Sequence, residues 1–509
     1  MPLSPYRTNL IANIAGTGSL ALVQLACVPI YIAFLGIEAY GLVGFFMTLQ
    51  AVLRVFDLGL SMTVNREMAR YSVQPDKFDE MRDFLRTVET GYWLLGAAVG
   101  TIVAASAPLI VTRWINVNAL SVQDAQRAVV LMGGVIAAHW PLSLYQGALI
   151  GLQHQLPLNV IRVAAAIASG GGALLVLWLV SPTLIAFFTW QMIVCLMEVL
   201  LLASCVWRKL PRASRPARFD LASVRGVMRF AGGMGGIALA GMVLTQMDKV
   251  ILSGLVSLDT FGYYVLAGLV ATSLHLFIGP VFAATLPRLC ALVAEGDDHA
   301  VGKVYHEATQ LTVVLVVPLA LTIGFFAPAI LQLWTGDALL AQRAAPIVVF
   351  LISGSAINGV MFMPCALQIA YGWTTVTLRV SVGMCVAMVP AVYFMATNYG
   401  AVGAAAVWLA LNVMNLLIAF PLTHRRLLKQ DAREWIIKDV GLPVLAATAM
   451  AWGAHELLAI PDAKPAAVVT LVAIFLVILA FASVSASRFR PSLLGVLNRV
   501  PATGYRNRA

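Results

Sequence analysis

Residues 35–66 read LGIEAYGLVGFFMTLQAVLRVFDLGLSMTVNR. A short acidic-x-aromatic-Gly turn, Glu38-Ala39-Tyr40-Gly41, opens an apolar run that closes at Arg66. A run of this length crosses a hydrocarbon core of ~30 Å, which takes about 20 apolar residues as a helix. The pattern recurs at 256–262, VSLDTFG, followed by an apolar run that closes near Arg288. Glu38-Ala-Tyr-Gly41 matches Asp259-Thr-Phe-Gly262 at an offset of 221, and the same offset places Asn9 on Phe230. The glycine in each turn permits a backbone conformation that other residues resist.

The rest of the chain repeats this alternation of apolar run and short loop. Of its 509 residues 61% are hydrophobic and only 11% charged, with mean hydropathy +0.88. Soluble domains average roughly 45–50% apolar and about 25% charged. A lipid-facing surface accounts for the excess; a water-soluble core of this size does not. Fourteen spans qualify: 9–34, 40–63, 88–112, 127–150, 157–180, 183–206, 230–253, 261–285, 309–334, 344–370, 373–396, 400–422, 437–458 and 465–486. The first is too long for a cleavable leader and reads as an uncleaved helix. The longest loops, about 25 residues, are too short to build a core of their own.

Charge sets the orientation. With the N-terminus inside, 25 of the 33 Lys and Arg fall on the cytoplasmic side, four outside (Arg113, Arg127, Arg343, Lys464) and four within spans (Arg54, Arg162, Lys249, Arg379). Positive residues concentrate on cytoplasmic loops, so both termini are expected to be cytoplasmic. The net charge of +10 is therefore topology, not nucleic-acid binding. The six cysteines lie in or beside spans with no CxxC pair, which argues against a disulfide framework or a zinc site.

The offset divides the chain into an N-terminal six-helix half (1–206), a basic cytoplasmic linker (207–229), a C-terminal six-helix half (230–422) and two additional helices with a basic tail (423–509). Halves that both start inside are related by an axis along the membrane normal and flank a central site. The predicted fold is an all-α integral membrane protein of about 14 transmembrane helices.

No enzyme motif survives inspection. Gly296 to Val304 resembles a phosphate loop, but its glycines are one residue too far apart and Val304 replaces the Mg²⁺-binding Ser or Thr. No HExxH, GxSxG or paired-Cys site is present, so no catalytic residue, cofactor or metal is expected. The glycines at 170–172 and 232–236 suit close helix packing.

The remaining signals are polar groups at membrane depth, which are costly and tend to face cavities. Arg54 sits deep in the second span with Asp57 three residues on; it either binds an anion in a central cavity or pairs with Asp57. His275 occupies the corresponding place in the second half, as a packed or a cavity-facing imidazole. Lys249 and Arg379 complete the candidate substrate contacts, while Glu198, His139 and Asp248 are candidates for ion coupling. Gln24, Asn65, Asn358, Asn412 and Asn415 can bind sugar hydroxyls or bridge helices. Prolines at 29, 141, 280, 318, 364 and 390 bend spans, as in transporters.

Asn9-Leu-Ile-Ala-Asn13, Pro29-Ile-Tyr31, Leu35-Gly36, Glu38-Ala-Tyr-Gly41 and Asp57-Leu-Gly-Leu60 together resemble the Wzx-type polysaccharide flippases of the multidrug/oligosaccharidyl-lipid/polysaccharide exporter superfamily. The likeness is sharpest over 9–71 and extends over the chain by span count and repeat. It implies a fold like the multidrug and toxin exporters. It also implies transfer of an undecaprenyl-diphosphate-linked oligosaccharide from the cytoplasmic to the periplasmic leaflet of the bacterial inner membrane, for O-antigen, capsule or exopolysaccharide. The implied partners are that lipid-linked glycan, the bilayer, and polymerase and assembly proteins; a monomer suffices, and no nucleic acid is involved. A cation-coupled drug exporter and a lipid II flippase of the same superfamily are the alternatives. A membrane glycan polymerase would carry a large periplasmic loop, which this chain lacks.

Overall fold

The structure, a computed structural model, describes residues 23, 25–57, 59–212, 214–220, 239, 241–428 and 431–488. The Asn9–Asn13 motif, Gln24, Leu58, the end of the linker, the glycines at 232–236 and the tail from 489 onward lie outside the described residues.

Among the described residues the chain is helical throughout, with a single isolated bridge between Asn116 and Ser257. The helices are α1 (Leu25–Leu35), α2 (Ile37–Leu53), α3 (Leu60–Ser72), α4 (Phe78–Ala105), α5 (Val122–Gly151), α6 (Gln155–Leu179), α7 (Leu184–Lys209) and α8 (241–255). They continue as α9 (Leu258–Thr272), α10 (His275–Glu295), α11 (Asp298–Phe325), α12 (Ala327–Thr335), α13 (Ala338–Ala370), α14 (Thr374–Leu427), α15 (Leu442–Leu457) and α16 (Lys464–Ser485). Eleven helical segments are long and apolar enough to cross a membrane, against the fourteen spans expected. The difference has three sources. The first span is represented by the short Leu25–Leu35, the seventh begins outside the described residues, and the eleventh and twelfth run together. In that joined helix, α14, only the backbone at Gly400 (φ 61°, ψ −145°) leaves helical geometry. Large apolar side chains such as Trp178, Val386 and Leu445 stand exposed on the spans, as a surface bathed in lipid requires.

Two of the expected spans are broken in mid-membrane. The second gives way at Arg54–Asp57 to a tight 3₁₀ turn, then to Gly59 in the left-handed region (φ 74°), before α3 resumes. The eighth breaks between Thr272 and His275, where α9 ends and α10 begins. Arg54 and His275, 221 residues apart, thus both sit at helix breaks. Irregular backbone at membrane depth is tolerated where it lines a cavity or is buried in protein.

Chain segments gather into two compact units, 1–265 with 392–401 and 266–391 with 402–509. In the first, α5 is the hub: α3, α4 and α7 pack on it and α6 packs on α7. Its glycines explain the closeness. A methyl on Gly100 would strike the Gly133 carbonyl and one on Gly133 the Gly100 carbonyl, while Gly147 and Gly151 press on the backbone carbonyls of Ser61 and Asn65. Small residues allow such approach between membrane helices. Ser121 caps α5, its Oγ accepting from the Asp124 N–H at 3.1 Å. The first part of the linker lies along the start of α4. Asp83 accepts a two-pronged bond from Arg215 (2.5 and 3.2 Å) and one from the Arg218 N–H (2.6 Å). Asp79 accepts from Ser214, and the Asp220 N–H donates to Thr87 (2.8 Å).

In the second unit α11 packs on α10, α13, α15 and α16. Its apolar core includes Leu289, Val317, Met363, Leu367, Phe420 and Ile478. A buried polar network joins the two additional helices to α11. His306 pairs with Asp439 through Nδ1, and Gln310 donates to Asp439 (2.8 Å) and Ser487 (3.1 Å). Gln310 also accepts from the Arg488 N–H (3.0 Å), and Arg488 reaches Glu434 at 3.2 Å.

Candidate functional site

The first unit encloses a cavity of about 620 Å³ among α1, α2, α5, α6 and α7. Helical periodicity brings its lining side chains together. His139, Ser143 and Gln146 form a stripe on α5, Arg162, Ala165 and Ser169 one on α6, and Phe187, Gln191, Cys195 and Glu198 one on α7. From α2 come Tyr40, Val43, Met47 and Gln50, and from the helix break Arg54 and Asp57. The apolar wall is Val28, Tyr31, Val135, Trp140 and their neighbours.

Charge within this cavity is mixed. Asp57 is fully engaged: it accepts from the Tyr92 hydroxyl, from Ser61 Oγ (2.8 Å) and N–H (3.3 Å), and from Ser143 Oγ (3.2 Å). The ion pair between Arg54 and Asp57 that their spacing allows is not formed. Tyr92 and Ser143, on α4 and α5, take the carboxylate instead. Arg54 is left exposed to the cavity, and among the described residues it has neither ion pair nor hydrogen bond. Its charge reaches His139, whose Nδ1 lies 3.9 Å from Cys195 Sγ. Glu198 faces the same space, and Arg162 is the cation whose charge reaches it. Ser169 donates to Gln191 Oε1 at 2.6 Å, which aligns one amide on the wall.

Of the residues singled out from sequence, Arg54, Asp57, His139 and Glu198 therefore share one cavity. The other four do not line it. Asp248 is buried, accepts from the Tyr264 hydroxyl (2.6 Å) and pairs with Lys249 (3.5 Å), which also donates to the Thr245 carbonyl (2.8 Å). His275 meets the Phe362 ring edge-on at 5.9 Å in the second unit, and Arg379 is exposed on α14. Asn358 and Asn412 bond each other (2.9 Å) and so bridge helices. Arg162 is the cavity cation that sequence reasoning left out of the site. Its signal was available: it is one of four cations within a span, in register with the polar stripe that ends at Ser169.

Comparison with known proteins agrees with this architecture. The profile of the polysaccharide biosynthesis protein family matches residues 7–293, more than half of the chain. A putative O-antigen transporter of Shigella flexneri is 20% identical over 411 residues, covering 81% of this chain and 96% of that protein. Two solved structures superpose closely. The lipid II flippase MurJ in an inward closed conformation has a TM-score of 0.68 at 14% identity, covering 96% of this chain and 99% of that one. An inward-facing multidrug resistance MATE family transporter of the MOP superfamily has a TM-score of 0.67 at 14% identity, covering 82% and 96%. The expected fold, an all-α multi-pass membrane bundle like that of the MATE transporters, is the fold observed. The chain belongs to the polysaccharide biosynthesis protein family.

Proposed function

We propose that this protein flips an undecaprenyl-diphosphate-linked oligosaccharide from the cytoplasmic to the periplasmic leaflet, by alternating access around the cavity that holds Arg54 and Arg162. The observation that carries this reading is the pair of arginines lining an intramembrane cavity, with Arg54 free of ion pairs and hydrogen bonds among the described residues because Asp57 is occupied by three neighbouring side chains. A lipid diphosphate carries charge that hydrocarbon does not dissolve. Guanidinium groups bind phosphate oxygens in a forked geometry and keep their charge in a dry site. A cavity of about 620 Å³ holds the diphosphate and its first sugars. The amides of Gln50, Gln146 and Gln191 on its wall suit sugar hydroxyls. Glu198 and His139 stand in the same space as candidates for proton exchange.

A drug exporter of the superfamily would take cations, which Arg54, without an ion pair among the described residues, disfavours. A lipid II flippase shares the diphosphate and differs in the head group. In this reading the protein sits in the bacterial inner membrane with both termini cytoplasmic, works as a monomer, and delivers its cargo to polymerase and assembly proteins. The test is surface display of the glycan in cells relying on this protein. Arg54→Ala abolishes display at normal protein level, and Arg54→Lys retains part of it; full display with Arg54→Ala refutes the assignment.

A further inference from the structure

On the side that the proposed orientation makes periplasmic, the first unit holds a set of contacts that the cavity chemistry does not use. Gly41 faces the Leu258 carbonyl so closely that a Cβ would collide with it, and Gly262 faces the Ile37 carbonyl in the same way. Ile37 and Leu258, like Gly41 and Gly262, are 221 residues apart, so the contact is reciprocal. Gly44 meets Val265, its own counterpart by the same offset, as happens where a local two-fold axis passes.

A loop ties the same two turns together. Glu38, 8% exposed, accepts from the backbone N–H groups of Asn118 (2.6 Å), Ala119 (2.7 Å) and Leu120 (3.2 Å). The other end of the loop holds the second turn. The Leu258 N–H donates to the Asn116 carbonyl (3.0 Å), Asn116 Nδ2 to the Val256 carbonyl (3.3 Å), and Trp114 Nε1 to Ser253 Oγ (3.0 Å). The arrangement is one-sided: Asp259, the counterpart of Glu38, has a buried Oδ1 without a hydrogen-bond partner among the described residues. On α2, Tyr40, Val43 and Met47 line the cavity, so these contacts lie at its end.

We infer that Glu38 is a positioning residue of the transport cycle: through the 114–120 loop it holds residues 37–44 against 253–265, closing the cavity toward the periplasm until the loop is released. This rests on the orientation proposed above. A carboxylate accepting several backbone N–H groups is a strong clamp, because each bond is charge-assisted. It is also reversible, since the freed N–H groups of an exposed loop turn to water.

The experiment uses the full-length chain with its six cysteines replaced by serine. Met47→Cys reports on the cavity and Gln123→Cys on the loop side, both labelled with a membrane-impermeant maleimide in right-side-out spheroplasts. Gln123→Cys labels in every variant, and Met47→Cys labels slowly. Glu38→Ala speeds Met47→Cys labelling at least about tenfold, a shift of ~1.4 kcal/mol in the closed–open equilibrium. Glu38→Gln, which keeps one acceptor oxygen, falls between. Gly41→Ala and Gly262→Ala speed it alike, as reciprocity demands, and Asp259→Ala leaves it unchanged. Unchanged labelling with Glu38→Ala, or equal acceleration with Asp259→Ala, overturns the inference. Should Glu38→Ala not accumulate, no acceleration with either Glu38→Gln or Gly262→Ala overturns it equally. Labelling of Gln123→Cys from inverted vesicles alone overturns the orientation itself, and the inference with it.

Discussion

The two cavity arginines invite a double-mutant cycle. Arg54 has no ion pair or hydrogen bond among the described residues, and Arg162 has no ion pair there. Truncating Arg54 therefore breaks no ion pair or hydrogen bond, and truncating Arg162 breaks no ion pair but also removes the cation nearest in effect to Glu198, so the neutral-lipid control below separates loss of cargo contact from a change in the cavity itself. A hydrogen bond to a charged group contributes about 1.5–3 kcal/mol, so each single substitution to methionine slows flipping by roughly 10- to 150-fold. Both arginines face one space, so a single diphosphate spans them, and their effects on it are interdependent. The assay is flipping in proteoliposomes of a fluorescent undecaprenyl-diphosphate glycan, beside a control lipid whose sugar is joined through an uncharged ether. Arg54→Met and Arg162→Met slow the diphosphate cargo and leave the neutral lipid at the wild-type rate, and detergent melting temperatures stay within about 2 °C of the parent, as surface-like substitutions do. If the two substitutions slow both lipids equally, or leave the diphosphate lipid within about twofold of the parent, the electrostatic reasoning is wrong.

Two further outcomes follow from packing. Asp439→Ala removes the buried partner of His306 and Gln310 and lowers stability by about 3–5 kcal/mol, read as a drop in the detergent melting temperature; an unchanged melting curve contradicts the network. Asp83→Ala frees Arg215 and the Arg218 N–H, so trypsin cuts the linker at Arg212–Arg218 at least about tenfold faster, followed as fragment appearance on gels, with the span-to-span fold intact.

How much of this was legible in the sequence depends on the range of the interaction. Apolar run length is local, and it located the spans well. The run-on of the eleventh and twelfth is a matter of one residue, Gly400, where the expected boundary also fell. The helix breaks were not visible, because Arg54–Gly59 and Thr272–His275 lie inside runs long and apolar enough overall to read as single spans, and only Gly59 hints at a turn. Arg54 was found because charge at depth is conspicuous. Its lack of a pairing was not, since the decision lies with Tyr92 and Ser143, 35 and 86 residues beyond Asp57. Glu198, His139 and Arg162 were all visible as polar residues within their spans, but that Arg162 shares a cavity with Glu198 follows only from the packing of α6 beside α7. Asp248 and Lys249 were adjacent in the sequence and remain each other's neighbours, satisfied by Tyr264 and Thr245 and turned to no cavity lining.

The network around His306 has a consequence for how such a chain can be shortened. Asp439 lies just before α15, Ser487 and the Arg488 N–H lie just after α16, and all close on polar atoms of α11. A chain ending near residue 430 would keep twelve-span symmetry on paper, yet strip an imidazole and a carboxamide near the start of α11 of their buried partners. The two added helices are therefore a fixed wall of the second unit, tied at both ends to the polar side chains of His306 and Gln310.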